Sequence, residues 1–140
     1  MEQIKADPTV VAIAAGTPGG FGFNAKWRDE AGKQYIDVGI AEEHAIAMSS
    51  GIAKNGGKPV FNVYSTFLQR TYDQLVQDLC VNNNSAVIIN HMASVYGMND
   101  VTHLGFFDIP MLTSIPNLVY LAPTNNEELL AMTKYAVHQH

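Results

Sequence analysis

The sequence has very little cysteine and few charged residues, and it lacks long apolar segments. Cys80 is the single cysteine, which excludes an internal disulfide and a small fold held together by disulfides. Charged residues make up 15% of the 140 residues and the formal net charge is −5, which argues against a basic nucleic-acid groove. No apolar run approaches the roughly 18 residues of a membrane span, and nothing resembles a signal peptide. These absences predict a soluble, cytoplasmic protein that binds neither nucleic acid nor membrane.

Hydrophobic residues, in contrast, are abundant at 47% of the chain. A length of 140 residues predicts one domain that can bury a sizeable core. So few charged residues leave little surface for ordinary solvated charge. We therefore expect a partner to cover part of the surface.

Strand and helix signals alternate along the chain. Runs of apolar and β-branched residues predict five strands, at residues 9–14, 35–38, 59–64, 86–89 and 118–121. Apolar periodicity and capping residues predict helices at residues 42–53, at residues 66–81 and after Thr124 or Asn125. Strands separated by helices indicate an α/β fold, a three-layer sandwich with a mainly parallel sheet of five or six strands and helices on both faces.

Two of the predicted strands end in residues suited to chemistry. The carboxylates Glu42 and Glu43 follow the strand at residues 35–38 and open a helix. Tyr64 ends the next strand, and Phe67 and Arg70 come shortly after it. In parallel α/β sheets ligands bind at the carboxyl ends of the strands, so these side chains are expected to converge on one crevice. An acid at a helix start is often only a partner for the helix dipole, and Glu42 alone would leave that alternative open.

The predicted helix at residues 42–53 carries a stripe of small residues. Ala41, Ala45, Ser49 and Ala53 are four residues apart and therefore share one helix face. Such a face packs closely either against the chain's own sheet or against a second subunit. Both alternatives stay open, and the second predicts a homo-oligomer formed through this helix.

A second candidate region follows the predicted strand at residues 86–89. It is a long loop, residues 90–108, that contains His91 and His103, and long loops at strand ends often carry function. The two histidines are too far apart for a helical metal pair, and no cysteine or carboxylate cluster completes a zinc site. We predict no metal site here. Lone loop histidines are more often structural, and His103 is the better catalytic candidate.

Four segments carry a resemblance to a known family. They are GIAEEHA (residues 39–45), YSTFLQRTYDQ (64–74), THLGFFD (102–108) and IPNLVYLAPTNNEEL (115–129). Together they resemble the pyrimidine-binding domain of 1-deoxy-D-xylulose 5-phosphate synthase, within the transketolase family of thiamine diphosphate enzymes. The resemblance covers nearly the whole chain from about Thr9, and YSTFLQR is close to diagnostic.

The resemblance implies a role for each candidate residue. Glu42 corresponds to the catalytic glutamate that contacts N1′ of the cofactor's aminopyrimidine, and Phe67 to the aromatic residue that stacks on that ring. Tyr64 is expected to contact both cofactor and substrate. Arg70 and His103 line the substrate channel, and His103 also takes a catalytic role. Asn99 is assigned to the substrate site as well, at a position where the family has an acid.

The same resemblance implies a partner. Related enzymes hold the diphosphate and Mg²⁺ through a separate domain with a Gly-Asp-Gly motif, and this sequence has neither that motif nor a substitute for it. The chain is therefore expected to hold the aminopyrimidine end of thiamine diphosphate and to need a diphosphate-binding domain or subunit. The diphosphate-binding and C-terminal domains are expected to be absent from it, which would leave it incomplete alone.

One departure from the family pattern bears on the substrate. Met92 stands where the family has an arginine that looks like a clamp for the substrate phosphate. Two further functions therefore stay open beside the synthase-like transferase half: a separate transketolase subunit with a different substrate, and a degenerate module that only pairs with a partner. An unrelated nucleotide-binding α/β domain is disfavoured, because no phosphate loop is present.

Overall fold

The computed structural model describes residues 1–94 and 102–139 and is organised around one β-sheet. Its helices and strands, in chain order, are α1 Glu2–Ala6, β1 Val10–Ala14, α2 Ala25–Ala31, β2 Tyr35–Asp37, α3 Glu42–Lys54, β3 Lys58–Tyr64, α4 Ser65–Leu68, α5 Tyr72–Gln74, β4 Val87–His91, α6 Asp108–Thr113 and α7 Asn126–Val137. Short 3₁₀ turns lie at Pro18–Phe21, Gly32–Gln34 and Gln69–Thr71, and a π-helical segment lies at Leu75–Val81.

The sheet has the order β2-β1-β3-β4, and every neighbouring pair is parallel. The register pairs Ala14 with both Asp37 and Asn62, and Tyr64 with His91, so the strands end at one edge. The prediction of a parallel α/β fold is confirmed. The predicted number of strands was too high, because the described residues form four.

Alternating strand residues build a core on each face of the sheet. Ile13, Phe61 and Val63 point to one face, where they meet Ala45 and Ile46 of α3. The opposite face presents the apolar side chains of a second cluster, which are Val10, Ala12 and Val60 from the strands, Ile4 of α1, Ala31 of α2 and Val137 of α7. Helices therefore cover both faces, as expected for a three-layer sandwich.

The strand predicted at residues 118–121 does not form. These residues are irregular, and Val119 keeps 76% of its surface exposed. Asn117, just before them, has a φ of 63°, which turns the chain, and Pro123 lacks the N–H that a ladder needs. Strand propensity in this segment is real, but none of the four strands in the described part of the chain pairs with it.

Two predicted helices are confirmed with differences in detail. Residues 66–81 are helical, but α, 3₁₀ and π geometries follow one another from α4 to Val81. Asn125 caps α7, because its Oδ1 accepts a hydrogen bond of 2.9 Å from the backbone N–H of Glu128. None of the helices in the described part of the chain is long and apolar enough to cross a membrane.

The small-residue stripe of α3 packs inside the chain itself. Ala45 and Ser49 are 0% exposed, and the Ser49 hydroxyl donates a hydrogen bond of 2.7 Å to the carbonyl of Ala45. Of the two alternatives left open by the sequence, packing against the chain's own sheet is therefore correct for this stripe. The opposite face of α3 is exposed at His44, Ala47 and Gly51.

Candidate functional site

The candidate site lies at the carboxyl edge of the sheet, where the loops after β1 and β2 are tied together. Oδ1 of Asp37, the last residue of β2, accepts hydrogen bonds from the backbone N–H groups of Gly16 at 2.9 Å and Gly39 at 3.0 Å. Both glycines have positive φ values, 74° and 71°, which their missing Cβ allows. The loop between β2 and α3 is only four residues long, residues 38–41.

Glu42 is the first residue of α3 and keeps only 2% of its surface exposed. The N–H groups at a helix start favour a negative charge, which partly offsets the cost of burying a carboxylate. Oε2 of Glu42 also lies 3.4 Å from Nη1 of Arg70, whose side chain is 45% exposed. The carboxylate therefore faces a cation at the edge of the crevice and the core elsewhere.

An aromatic corner adjoins this carboxylate. Tyr64 ends β3 and Phe67 follows in α4, with ring centroids 6.0 Å apart in an edge-to-face arrangement. The guanidinium carbon of Arg70 lies 5.6 Å from the centroid of the Phe67 ring, within cation–π distance. The turn from β3 into α4 thus groups Tyr64 with Phe67, and Arg70 links this pair to the carboxylate of Glu42.

His103 joins the same group through Phe67. Its ring is edge-to-face with Phe67 at a centroid distance of 5.2 Å. Nδ1 of His103 lies 2.7 Å from the Thr102 hydroxyl, and the Thr66 hydroxyl of α4 donates to the Thr102 carbonyl at 2.9 Å. Five of the six predicted site residues are therefore neighbours. The sixth, Asn99, lies outside the described residues.

His91 belongs to β4 and not to the loop in which sequence reasoning placed it. Its ring packs against Phe21 at 4.4 Å, and Phe21 in turn packs against Tyr64 at 4.9 Å. Nε2 of His91 is 3.4 Å from Oδ1 of Asn62, and burial lowers the pKa of the imidazole, which favours its neutral form. Sequence reasoning missed Phe21. This residue follows the glycine- and proline-rich turn at residues 16–20, after β1.

Met92 follows β4 directly and has a φ of 55°. A bulky residue in this left-handed region costs conformational energy, and such residues concentrate at functional sites. Its thioether cannot supply the charge that an arginine would bring to a phosphate. Among residues 1–94 and 102–139, no group of three or more His, Cys, Asp and Glu side chains could hold a metal ion.

Sequence reasoning also missed a buried polar cluster next to Gly105. Asp108 is 3% exposed and Ser65 is 1% exposed, and Oδ2 of Asp108 accepts a hydrogen bond of 3.1 Å from the Asn90 amide. The available signal was the single acid in the apolar string GFFDIPML.

Comparison with protein families shows a match over almost the whole chain. Residues 2–140 match the family described as "Transketolase, pyrimidine binding domain". Curated relatives named 1-deoxy-D-xylulose-5-phosphate synthase include one from Natranaerobius thermophilus, 41% identical over 98% of this chain and 22% of that protein. Another, from Clostridium beijerinckii, is 43% identical over 95% of this chain and 21% of that protein. The chain thus spans about a fifth of the length of these relatives.

A solved structure supports the fold. That protein is described as "Split gene transketolase, inactive beta4 tetramer", and it aligns with a TM-score of 0.80 over 99% of this chain and 44% of its own chain. The two sequences are 19% identical, so this likeness bears on the architecture alone.

Proposed function

The chain belongs to the transketolase pyrimidine-binding domain family, and we propose that it supplies the aminopyrimidine half of a thiamine diphosphate site. The observation that carries this proposal is the buried carboxylate of Glu42, which shares a contact with Arg70 that also lies over the ring of Phe67. Burying a carboxylate to 2% exposure is costly, and the start of α3 and the long contact with Arg70 offset only part of that cost. A ligand nitrogen that shares a proton with it would give that burial a function.

The residues present fit the aminopyrimidine end of the cofactor. Glu42 offers a carboxylate oxygen that can hold a proton against N1′ of the pyrimidine, and Phe67 offers a ring face for offset stacking. Tyr64 bounds the same corner from the end of β3. When bound, thiamine diphosphate supplies the acidic thiazolium carbon and the electron sink of the reaction. The described residues would orient the pyrimidine, exclude water from the carboxylate and position that proton.

The proposed reaction is the transfer of a two-carbon unit from a donor to an aldehyde acceptor. Relatives named 1-deoxy-D-xylulose-5-phosphate synthase, at 41–43% identity, support this class of reaction. We assign Arg70 and His103 to the substrate side of the crevice, because both contact the ring of Phe67 and both carry groups suited to a polar substrate. Asn99 keeps the same assignment from its place in the sequence.

The proposed partner is a diphosphate-binding half, in the same polypeptide or a separate one, that also binds Mg²⁺. Apolar side chains near the site support this proposal. Ile40, two residues before Glu42, is 83% exposed, and Phe106 and Phe107, shortly after His103, are 60% and 63% exposed. A partner placed against the open side of the crevice would remove this apolar surface from water.

We also keep the proposal that the chain self-associates through α3. The small-residue stripe is occupied by the chain's own core, so the contact would use the opposite face, with His44, Ala47 and Gly51. The short side chains of Ala47 and Gly51 would allow a second helix to approach closely.

The test is hydrogen–deuterium exchange at the thiazolium carbon in the protein assembled with its diphosphate-binding half. Glu42→Gln keeps the shape of the side chain but cannot share a proton, and we expect exchange to slow by about 10²–10⁴-fold. Glu43→Gln is the matched control, because Glu43 is the adjacent acid and is partly exposed. We expect its exchange rate to stay within about twofold of the wild type, since it plays no proposed part in the proton transfer.

Three outcomes separate the alternatives. Loss in Glu42→Gln alone supports the proposal. Equal losses in both variants would mean that the wrong carboxylate has been assigned. No exchange in the assembled wild-type protein would favour the degenerate pairing module.

A further inference from the structure

We propose that Asp108 is a positioning residue that, through Gly105, holds His103 against Phe67. This inference rests on the proposed function, because it concerns the substrate side of the same crevice. Asp108 lies five residues after His103, at the start of α6, and its side chain is buried in the protein.

Asp108 is attached to the sheet by a hydrogen bond. Its carboxylate is 3% exposed, and Oδ2 accepts a hydrogen bond of 3.1 Å from Nδ2 of Asn90. Asn90 is the second-last residue of β4, a strand fixed by its parallel pairing with β3. The start of α6 is therefore tied to the rigid edge of the sheet.

Gly105 packs closely against Asp108. A Cβ atom at Gly105 would lie 2.8 Å from Oδ2 of Asp108, 2.7 Å from Oγ of Ser65 and 2.7 Å from Cα of Ala93. No side chain fits there without displacing one of these groups. The N–H of Gly105 also donates a hydrogen bond of 3.0 Å to the carbonyl of Ser94. The backbone two residues after His103 is thus wedged between α4, the end of β4 and Asp108.

The restrained backbone at Gly105 also limits where the imidazole of His103 can lie. On the near side of His103, Thr66 of α4 holds the Thr102 carbonyl at 2.9 Å. On the far side, Gly105 rests on Asp108. His103 therefore lies on a short span fixed at both ends, with its ring 5.2 Å from the Phe67 centroid. A shift at Asp108 would move the backbone that carries the ring.

The polarity of the anchor argues against a purely packing role. Among the described residues, Oγ of Ser65, Oδ1 of Asn90 and Oδ1 of Asp108 are buried and have no hydrogen-bond partner. Unpaired buried polar atoms destabilise a fold, and apolar side chains of similar volume would fill the space at lower cost. A directional contact between Asn90 and Asp108 provides what apolar packing lacks, which is a fixed position for the loop.

The first experiment needs neither cofactor nor partner. Side-chain ¹⁵N–¹H NMR of the histidines in the free chain would compare wild type, Asp108→Asn and the control Asp73→Asn, which alters an exposed acid at the start of α5. We expect the His103 ring resonances to move in Asp108→Asn and to stay in place in Asp73→Asn. The exposed His44 and His138 are internal references that neither substitution should affect.

The second experiment uses turnover by the assembled enzyme. For Asp108→Asn we expect kcat/KM for the acceptor to fall by about 10- to 100-fold, the usual effect of a misplaced catalytic group. Exchange at the thiazolium carbon should be unchanged, because Glu42 lies on α3 and contacts Arg70, whereas Asp108 is bonded to Asn90 of β4. In a His103→Ala background, Asp108→Asn should cause almost no further loss, since the group that it positions is gone.

The inference would be overturned by unmoved His103 resonances in a folded Asp108→Asn variant, or by a full additional loss in the His103→Ala background. If Asp108→Asn does not fold, Gly105→Ala perturbs the same wedge and replaces it in both experiments. Failure of both variants to fold would also overturn it, in favour of a structural role. If the assembled wild type shows no exchange, the proposed function fails, and the NMR comparison still decides the role of Asp108.

Discussion

Arg70 Nη1 lies 3.4 Å from Oε2 of Glu42 and so connects a half-exposed 3₁₀ turn to the buried start of α3. The same guanidinium lies 5.6 Å from the centroid of the Phe67 ring. Without a ligand, Arg70 thus contacts both groups that we assign to the aminopyrimidine. Its exposed side chain can turn outwards when a ring enters, and it would then face the substrate side of the crevice.

This relationship predicts a small coupling between the two residues in the free chain. Because Arg70 is 45% exposed and the contact is long, we expect Arg70→Ala to lower the free energy of unfolding by only about 0.2–1 kcal/mol. In a Glu42→Gln background the same substitution should cost less, because only the contact of Arg70 with Phe67 is then lost. Urea denaturation of the four proteins in this cycle measures the coupling. A cost of Arg70→Ala that is equal in both backgrounds would mean that the contact does not form in solution.

A second prediction concerns acid stability at the opposite edge of the sheet. The hydrogen bonds that Asp7 accepts from Lys58, at 2.8 Å, and from Thr9 hold the pKa of its carboxyl well below the usual range. A folded-state pKa below the unfolded value, about 3.9, means that the unfolded chain binds more protons as the pH falls. The stabilisation is therefore fully present above about pH 4 and is lost as the pH falls below that value.

Asp7→Asn should remove this dependence. We expect the variant to be less stable than wild type at pH 7, with the two free energies of unfolding converging as the pH falls below about 4. Urea denaturation between neutral and acidic pH measures both curves, and Asp73→Asn is the exposed control. A constant difference between wild type and Asp7→Asn across this range would contradict the prediction.

The sequence predicted the parallel sheet and the residues of the crevice for identifiable reasons. Alternating apolar and helical segments restrict the topology strongly, and parallel strands end at one edge, which brings Glu42 and Phe67 together. The roles of Glu42, Tyr64, Phe67, Arg70 and His103 in catalysis or binding stay predictions. Their proximity is now a structural observation.

The features that sequence reasoning missed depend on partners far away in the chain. Residues 118–121 have strand propensity, but pairing needs a free neighbouring strand edge at the right place. The spacing of Ala45 and Ser49 shows that they share a face, and nothing local shows whether that face meets the same chain or another. The contact of Asn90 with Asp108 depends on how the intervening segment returns to β4.

A third prediction separates the two faces of α3. A Cβ at Gly51 would meet no atom within 4 Å, so Gly51→Arg should leave the fold intact while placing a charge on the proposed self-association face. We expect a lower sedimenting mass than that of wild type. Ala45→Arg is the contrasting variant, because Ala45 is 0% exposed and a charge there should unfold the chain. An unchanged mass for Gly51→Arg would show that this face is not the interface.

The last prediction concerns the acceptor and rests on Met92. The assembled enzyme should use glyceraldehyde 3-phosphate poorly, because a thioether stands where the family resemblance places an arginine. A charge-assisted hydrogen bond to phosphate contributes about 1.5–3 kcal/mol, which corresponds to roughly 10- to 150-fold in affinity. We therefore expect Met92→Arg to lower KM for phosphorylated aldehydes by up to that factor. KM for unphosphorylated aldehydes should stay nearly unchanged.

Met92→Leu is the matched control, because any residue with a Cβ bears the strain of a φ of 55° at this position. Steady-state kinetics with one phosphorylated and one unphosphorylated aldehyde give the comparison for all three proteins. If the wild type already prefers the phosphorylated acceptor, a different cation binds the phosphate. Arg70 would be the first candidate, since its half-exposed guanidinium lies beside Phe67 and can reach the same crevice once it leaves Glu42. Arg70→Ala should then abolish that preference, and Met92→Arg should add little to it.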